Sequence, residues 1–319
     1  MTIKKNDKIF IAGHKGMVGS SIFRALKRKS YTKLRTIDKK KLDLKNQKKV
    51  NEYFKRNKFK QVYLCAAKVG GIQANNTYLA DFIYQNLQIQ NNCIHAAYLS
   101  KVKKLMFLGS SCVYPKNARL PIKEEFLLTG ELEQTNEMYA IAKIAGLKMC
   151  KAYNEQFKTD FRAVMPTNLY GTNDNYDNFS SHVFAALIKK VSLATDNKKK
   201  RFIVWGSGKP KREFLHVDDM AEATLKIMSL GRSKYKKIVG EKFPYLNVGS
   251  GSEISIKNLA LLIANLNNYK GKIVFDKTKP DGTHRKLMDN KKLKLLNWRP
   301  KISIEEGIVK TLQEFKSLA

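Results

Sequence analysis

Acidic residues are scarce in this 319-residue chain: 27 Asp and Glu stand against 61 Lys and Arg, a formal charge of +34. Such an excess fits a nucleic-acid binder, a handler of anionic ligands, or a Lys-biased composition. The lysines are spread among many Asn and Ile, with short clusters at Lys39-Lys40-Lys41 and Lys198-Lys199-Lys200-Arg201, which favours compositional bias. Nucleic-acid binding is not expected. Cysteine is sparse too. Cys65, Cys93, Cys112 and Cys150 contain no Cys-x-x-Cys pair and no zinc-like spacing with histidine, so reduced thiols and no metal are expected. Three of them sit in apolar stretches as core filler, whereas Cys112 lies in a Ser-rich turn. No apolar run reaches about 18 residues, and Met1 to Asp7 lack the apolar segment of a signal peptide. The expectation is a soluble, cytoplasmic protein without membrane contact. Repeats and low-complexity segments are missing as well. At 43% hydrophobic and 10% aromatic, the chain can still build one large α/β domain, or a medium and a small one.

What is present is an alternation of buried strands and helices. Lys8-Ile9-Phe10-Ile11-Ala12 is a short apolar strand running into Gly13-His14-Lys15-Gly16-Met17-Val18-Gly19, and a helical pattern through Ile22 and Leu26 follows. That is the place of a Rossmann phosphate turn, where glycines let the backbone turn tightly and approach a pyrophosphate resting on the helix N-terminus. A second strand, Lys33 to Ile37, ends at Asp38, where an acid would bind the ribose of NAD. Lys15, Lys39 and Lys40 argue instead for a 2′-phosphate, and three cations around one acid favour NADP. Gln61 to Ala67 is another buried strand, Asp81 to Leu99 a long helix, and Leu105 to Leu108 a strand opening into Gly109-Ser110-Ser111-Cys112-Val113-Tyr114-Pro115. Phe161 to Met165 supplies the next strand. This order predicts an α/β fold, a Rossmann doubly wound parallel sheet with its ligand at the carboxyl ends of the strands.

Tyr139-Ala140-Ile141-Ala142-Lys143 lies in a helical pattern extending towards Phe157, so Tyr139 and Lys143 share one helix face. A phenol beside a fixed ammonium is expected to have a lowered pKa. Reaching neutrality from about 10 takes roughly 4 kcal/mol of preferential phenolate stabilisation, for which an adjacent cation is the obvious source. A hydroxyl at the strand end, Ser110 or Ser111, would bond the substrate oxygen that Tyr139 serves. This layout suits reduction of a carbonyl, or oxidation of an alcohol, with a nicotinamide cofactor.

After Pro166-Thr167-Asn168-Leu169-Tyr170-Gly171 the pattern loosens. Asn173 to Ser181 reads as a polar loop, Ser181 to Ala194 as a helix containing His182 and Lys190, and Arg201 to Trp205 as a strand. Gly206 to Arg212 reads as a cationic turn, and Glu213 to Asp219 leads into a helix capped by an Asp. A strand-turn at Leu246 to Gly249, a helix from Ser255, a strand at Ile273 to Phe275 and the turn Pro280 to Lys286 precede the final helices. Taken alone, Cys112 reads as packing and His182 as a surface helix residue.

Gly13-x-x-Gly16-x-x-Gly19, Tyr139-x-x-x-Lys143 and Arg212-Glu-Phe-Leu-His-Val-Asp-Asp219 resemble the extended short-chain dehydrogenase/reductases that act on nucleotide sugars. Ala66 to Ile72, Asn75 to Tyr78, Gly109 to Pro115, Met165 to Gly171, Trp205 to Gly208 and Lys279 to Thr283 narrow the resemblance to the GDP-L-fucose synthase branch, over nearly the whole chain.

The resemblance implies NADPH-dependent 3,5-epimerisation and 4-keto reduction of GDP-4-dehydro-6-deoxy-D-mannose. Other epimerases or C4 reductases of the same fold, such as one acting on a GDP-keto-heptose, are the alternative. It also implies a reductase triad of Ser110, Tyr139 and Lys143, with Cys112 and His182 as the acid/base pair for epimerisation. NADP(H) would lie on Gly13, His14, Lys15, Gly16, Met17, Val18 and Gly19, on Lys39, Leu42, Asp43 and Leu44, and on Leu108, Gly109, Ser110 and Ser111. It would also meet Lys143, Pro166, Thr167, Asn168, Leu169 and His182. Lys190, Trp205, Arg212, Asp281 and Lys286 would meet the GDP-sugar. Lys15 stands where the family often has Arg, which keeps charge but loses a bidentate phosphate contact. Residues 1–170, with 214–248 returning, are expected to form the NADP-binding domain, and 171–213 with 249–319 a smaller C-terminal α/β substrate domain. The family pattern is a homodimer.

Overall fold

The computed structural model describes residues 4–279 and 281–318. Met1 to Ile3 of the N-terminal stretch, Pro280 of the Lys279 to Thr283 motif and Ala319 lie outside the described residues.

In chain order the first half gives β1 (Ile9–Ala12), α1 (Met17–Arg28), β2 (Leu34–Arg35), α2 (Gln47–Asn57), β3 (Gln61–Leu64), α3 (Ile72–Thr77), α4 (Leu79–Leu99), β4 (Lys104–Leu108), α5 (Glu137–Gln156) and β5 (Phe161–Pro166). The second half gives β6 (Asn168–Tyr170), α6 (Val183–Asp196), β7 (Arg201–Trp205), β8 (Lys211–His216), α7 (Val217–Ser229), α8 (Arg232–Val239) and β9 (Tyr245–Val248). It ends with β10 (Glu253–Ser255), α9 (Ile256–Leu266), β11 (Lys272–Asp276), β12 (Arg285–Lys286), α10 (Lys291–Lys294) and α11 (Ile304–Leu318).

Six parallel strands form the main sheet in the order β2-β1-β3-β4-β5-β9. Every residue of β1, β3, β4, β5 and β9 is buried, as a parallel sheet covered on both faces requires. Alternation along each strand divides the side chains between two cores. Phe10, Val62 and Phe107 pack with Phe54, Ile94 and Leu147 on one face. Ile9, Ile11, Met106 and Val164 pack with Ile22, Leu26 and Met220 on the other. The strand order reverses at β1, whose neighbours are β2 and β3, and ligands of open α/β sheets bind at the carboxyl end of such a reversal.

A second sheet is centred on β8, which pairs in parallel with β6 and β12 and antiparallel with β10; β7 and β11 form a parallel pair. A third core of Tyr170, Phe184, Ile188, Phe202, Phe214 and Leu259 underlies them.

Several local expectations are corrected. β2 stops at Arg35, not Ile37, because the Asp38 carbonyl accepts the amides of Lys41 and Leu42 in a turn. His182 lies outside α6 as its N-cap residue, in extended backbone. The cap of α7 is His216, whose ring accepts the Asp218 amide, and not an aspartate. The two aspartates of the first turn of α7 are engaged elsewhere: Asp218 by Ser21 and Arg24, and Asp219 by the amides of Lys301 and Ile302. The cationic turn ends at Lys209–Pro210, since Lys211 and Arg212 already belong to β8.

A single close approach sets the distance between α5 and the sheet. Gly146 of α5 faces β4 so closely that a Cβ there would collide with the buried Phe107 ring. Gly146→Ala is therefore expected to lower unfolding stability by about 1–3 kcal/mol through overpacking. Part of the loss should return in the Gly146→Ala/Phe107→Leu double variant, both read by denaturant titration.

Candidate active site

The glycine turn sits at the reversal of the sheet. Gly13 has φ +83°, and a Cβ on it would come within 2.7 Å of the Ala66 backbone nitrogen, so the turn after β1 is pressed against the end of β3. Gly16 donates to the Gly13 carbonyl at 3.1 Å and opens α1 with no side-chain cap on the helix N-terminus. The space where its Cβ would stand is open except for that carbonyl at 3.5 Å. Met17 and Val18 begin α1, so free amides point into this opening, as a diphosphate requires. Asp38 pairs with Lys15 at 2.9 Å and lies 3.4 Å from the His14 ring nitrogen. The Lys15 hydrogen bond holds the Asp38 carboxyl below its usual pKa. Lys39 is exposed beside it. Leu42 is buried, Asp43 accepts the Lys45 amide, and the Leu44 carbonyl accepts Asn92 at 2.9 Å.

At the end of β4, Gly109 donates to the Val164 carbonyl at 2.8 Å and Ser110 caps a short 3₁₀ turn, Ser111–Val113, its hydroxyl accepting the Cys112 amide at 3.1 Å. Lys143 is buried and donates to the Leu108 carbonyl at 2.7 Å, with its ammonium 4.9 Å from the Phe107 ring and 5.7 Å from the Tyr139 ring. Burial pulls its pKa down to about 8. Tyr139 corrects the expectation of a lowered pKa. Burial raises it, and the nearby Cys112 adds to that, while a hydrogen bond from Ser110 opposes both. The ammonium is committed to Leu108, so burial outweighs it. The neutral phenol is the form that donates a proton. Ser110, Cys112, Tyr139 and Lys143 are thus brought together, with Phe82 edge-on to Tyr139 at 6.3 Å.

His182 comes from the far side. Ser180 accepts the Gly71 amide at 2.8 Å, which seats the residues before α6 against the Gly70–Ile72 turn. The ring is solvent-accessible yet walled by protein, and that desolvation lowers its pKa. Ile72 and the Arg212 guanidinium bound the space beside Gly282. Burial lowers the Arg212 pKa, with the nearby Asp281, Cys112 and Glu133 opposing it. Asp281 accepts from the Ser207 amide and hydroxyl at 2.8 and 2.6 Å. Lys190 donates to the Ile203 carbonyl at 3.0 Å and lies 5.4 Å from the exposed Trp205 ring, with Lys279 at 5.6 Å. Lys286 pairs with Arg212 across β12 and β8. Pro166 ends β5, Leu169 lies in β6, and Thr167 and Asn168 both donate to the Glu213 carbonyl.

One group at this site carried no sequence signal, and one lay in a quoted motif without being given a role. Glu133, in an aperiodic stretch, accepts from Thr283 at 3.1 Å and pairs with Lys116 at 3.5 Å. Lys279 opens the Lys279 to Thr283 motif but was not expected to meet the ligand, and its contact with Trp205 brings it to the site. Among the described residues no group of three or more His, Cys, Asp or Glu could hold a metal, and no helix is long and apolar enough to cross a membrane.

Residues 9–240 match the model of the NAD dependent epimerase/dehydratase family. The chain is 50% identical over 308 residues to GDP-L-fucose synthase of Escherichia coli (strain K12), covering 97% of this chain and 96% of that one. It is 53% identical over 311 residues to the putative GDP-L-fucose synthase 2 of Arabidopsis thaliana, covering 98% and 92%. Among solved structures, MlghC, a GDP-mannoheptose C4 reductase from Campylobacter jejuni with NADP bound, superposes with a TM-score of 0.90 at 38% identity, covering 98% and 99%. The chain therefore belongs to the NAD dependent epimerase/dehydratase family, the extended short-chain dehydrogenase/reductases.

Proposed function

We propose that this chain is an NADPH-dependent bifunctional enzyme that epimerises C3 and C5 of GDP-4-dehydro-6-deoxy-D-mannose and reduces C4, giving GDP-L-fucose. The observation that carries the reading is the convergence of Ser110, Cys112, Tyr139 and buried Lys143 at the end of β4, in a chain 50% identical to a GDP-L-fucose synthase over nearly its full length. Residues 1–170 with 214–248 would carry the cofactor, and 171–213 with 249–319 the sugar nucleotide. NADP(H) fits the open cradle at Gly16 and the uncapped N-terminus of α1, with Lys15 and Lys39 towards the 2′-phosphate; when bound it supplies the hydride. Leu42, Asp43 and Leu44 would flank the adenosine side, and Pro166 to Leu169 with His182 the nicotinamide side.

Protons α to the C4 ketone are acidic because the enolate spreads charge onto O4. Cys112 and His182 approach from different walls, so one removes the proton from C3 or C5 and the other returns it on the opposite face. A lowered pKa keeps His182 neutral at pH 7, ready to accept. Ser110 and Tyr139 bond O4 and stabilise the enolate. Tyr139 then gives its proton to O4 as C4 is reduced, while Lys143 holds the nicotinamide ribose. Arg212, Lys190 and Lys286 face the diphosphate, Trp205 offers a flat apolar wall, and Asp281 orders the loop beside them. A cytoplasmic location and a homodimer complete the reading, and exposed Tyr84, Leu99 and Ile141 on α4 and α5 support the homodimer.

The product made from GDP-4-keto-6-deoxymannose and NADPH in deuterated water decides the reading by NMR. Fucose labelled at C3 and C5 is expected, and Cys112→Ser should lose label at least ten-fold more than reduction of an already epimerised substrate. Reduction without label would assign the chain to the simple C4 reductases. In pH profiles, kcat/KM for reduction should fall as pH rises through about 8, where free Lys143 loses its proton. Lys15→Ala should raise KM for NADPH about ten-fold while leaving NADH little changed, since only the 2′-phosphate makes a charge-assisted bond there.

A further inference from the structure

The catalytic turn and the substrate cations lie on different sheets, yet one buried polar network joins them. Asn247 in β9 is fully buried with its side chain completely bonded. Its Oδ1 accepts the Tyr114 hydroxyl at 2.6 Å, and its Nδ2 donates to the carbonyls of Ile122 at 2.8 Å and Asp289 at 3.2 Å. Tyr114, 1% exposed, directly follows the Ser111–Val113 turn and is two residues from Cys112. Ile122 and Asp289 are themselves joined: Asp289 donates its amide to the Ile122 carbonyl, and Ile122 donates to Leu287, both at 2.8 Å. The segment after Lys286 is thereby pinned. Within it, Met288 donates to Glu213 Oε2 at 2.9 Å, and Glu213, 0% exposed, stands beside Arg212 in β8. Glu213 Oε1 also accepts the Gly251 amide at 2.6 Å.

We propose that Asn247, acting with Tyr114, is a positioning residue that fixes the separation between the Ser110–Cys112 turn and the Arg212 and Lys286 cations. The network touches neither cofactor nor sugar, so it acts through the groups at its two ends. Arg212 and Lys286 anchor the diphosphate, and the Cys112 turn must meet carbons several bonds away; an error in the gap leaves binding intact and misplaces the thiol against C3 and C5. Proton transfer is sensitive to such displacement, because a donor must lie within hydrogen-bond reach of the proton it moves. Buried amide networks suit this task, since every member is bonded in a single geometry.

The inference rests on the proposed epimerase/reductase reading, so wild-type protein is run in parallel. Asn247→Asp sets a carboxylate against two carbonyls and is expected to abolish labelling at C3 and C5; because a buried acid can unfold the protein, Tyr114→Phe, which removes one oxygen atom, decides the matter. For Tyr114→Phe, deuterium exchange at C3 and C5 should fall at least ten-fold with KM for the GDP-sugar within two-fold, at a temperature where near-UV dichroism shows a full native signal. Unchanged exchange, or a rise in KM matching the fall in kcat, would overturn the proposal. If wild-type protein itself gives no labelled fucose, the underlying functional reading fails instead, which a variant-specific loss cannot mimic.

Discussion

The hydrogen bond from buried Lys143 to the Leu108 carbonyl is the contact on which the candidate site depends. An ammonium taken out of water is costly unless its donors are satisfied, and here one carbonyl and an aromatic face satisfy it, with the pKa drawn down to about 8. The bond exists because α5 lies close enough on β4 for Gly146 to meet the Phe107 ring. Tyr139, one helical turn earlier, is then set above the end of the same strand, beside Ser110 and Cys112. α4 packs against α5 and delivers Phe82 to the Tyr139 ring. A single approach of helix to strand thus places an ammonium, a phenol and an apolar wall.

Electrostatics divides the cleft by sign. The acids near it are already occupied: Asp38 by Lys15 and His14, Asp281 by Ser207, and Glu133 by Lys116 and Thr283. Lys190 and Arg212 lose solvent without gaining a carboxylate ion pair of comparable quality, as their lowered pKa values record. A desolvated cation of this kind gains more from an anionic ligand than a solvated surface lysine does.

Features fixed by near neighbours in sequence were legible. The glycine turn was readable because strand, turn and helix are contiguous, and the Tyr139–Lys143 pair because four residues bring two side chains to one helix face. What depended on distant packing was not. Tyr139's proton affinity follows from burial under α4, which no local spacing encodes. His182 was placed one residue inside a helix that it caps, because its register is set by Ser180 docking on Gly71. His216 caps α7 because Ser21 and Arg24 claim Asp218 from 197 and 194 residues away. Asn168 to Tyr170 leave the main sheet at once to pair with β8, and Asn247 bonds Tyr114 across 133 residues.

The last strand of the main sheet has a consequence for how the chain is made. β9 pairs with β5, but residues 167–244 must be synthesised between them. Until then β5, which the finished fold buries on both faces, stands as an open edge whose unpaired amides and carbonyls can bond any strand that passes. The intervening stretch supplies α7, which covers that region with Met220 and Ile227 before β9 arrives. A nascent chain halted shortly after residue 166 is thus the species most exposed to aggregation on the ribosome, and chaperone demand should peak there and end once residue 248 has emerged.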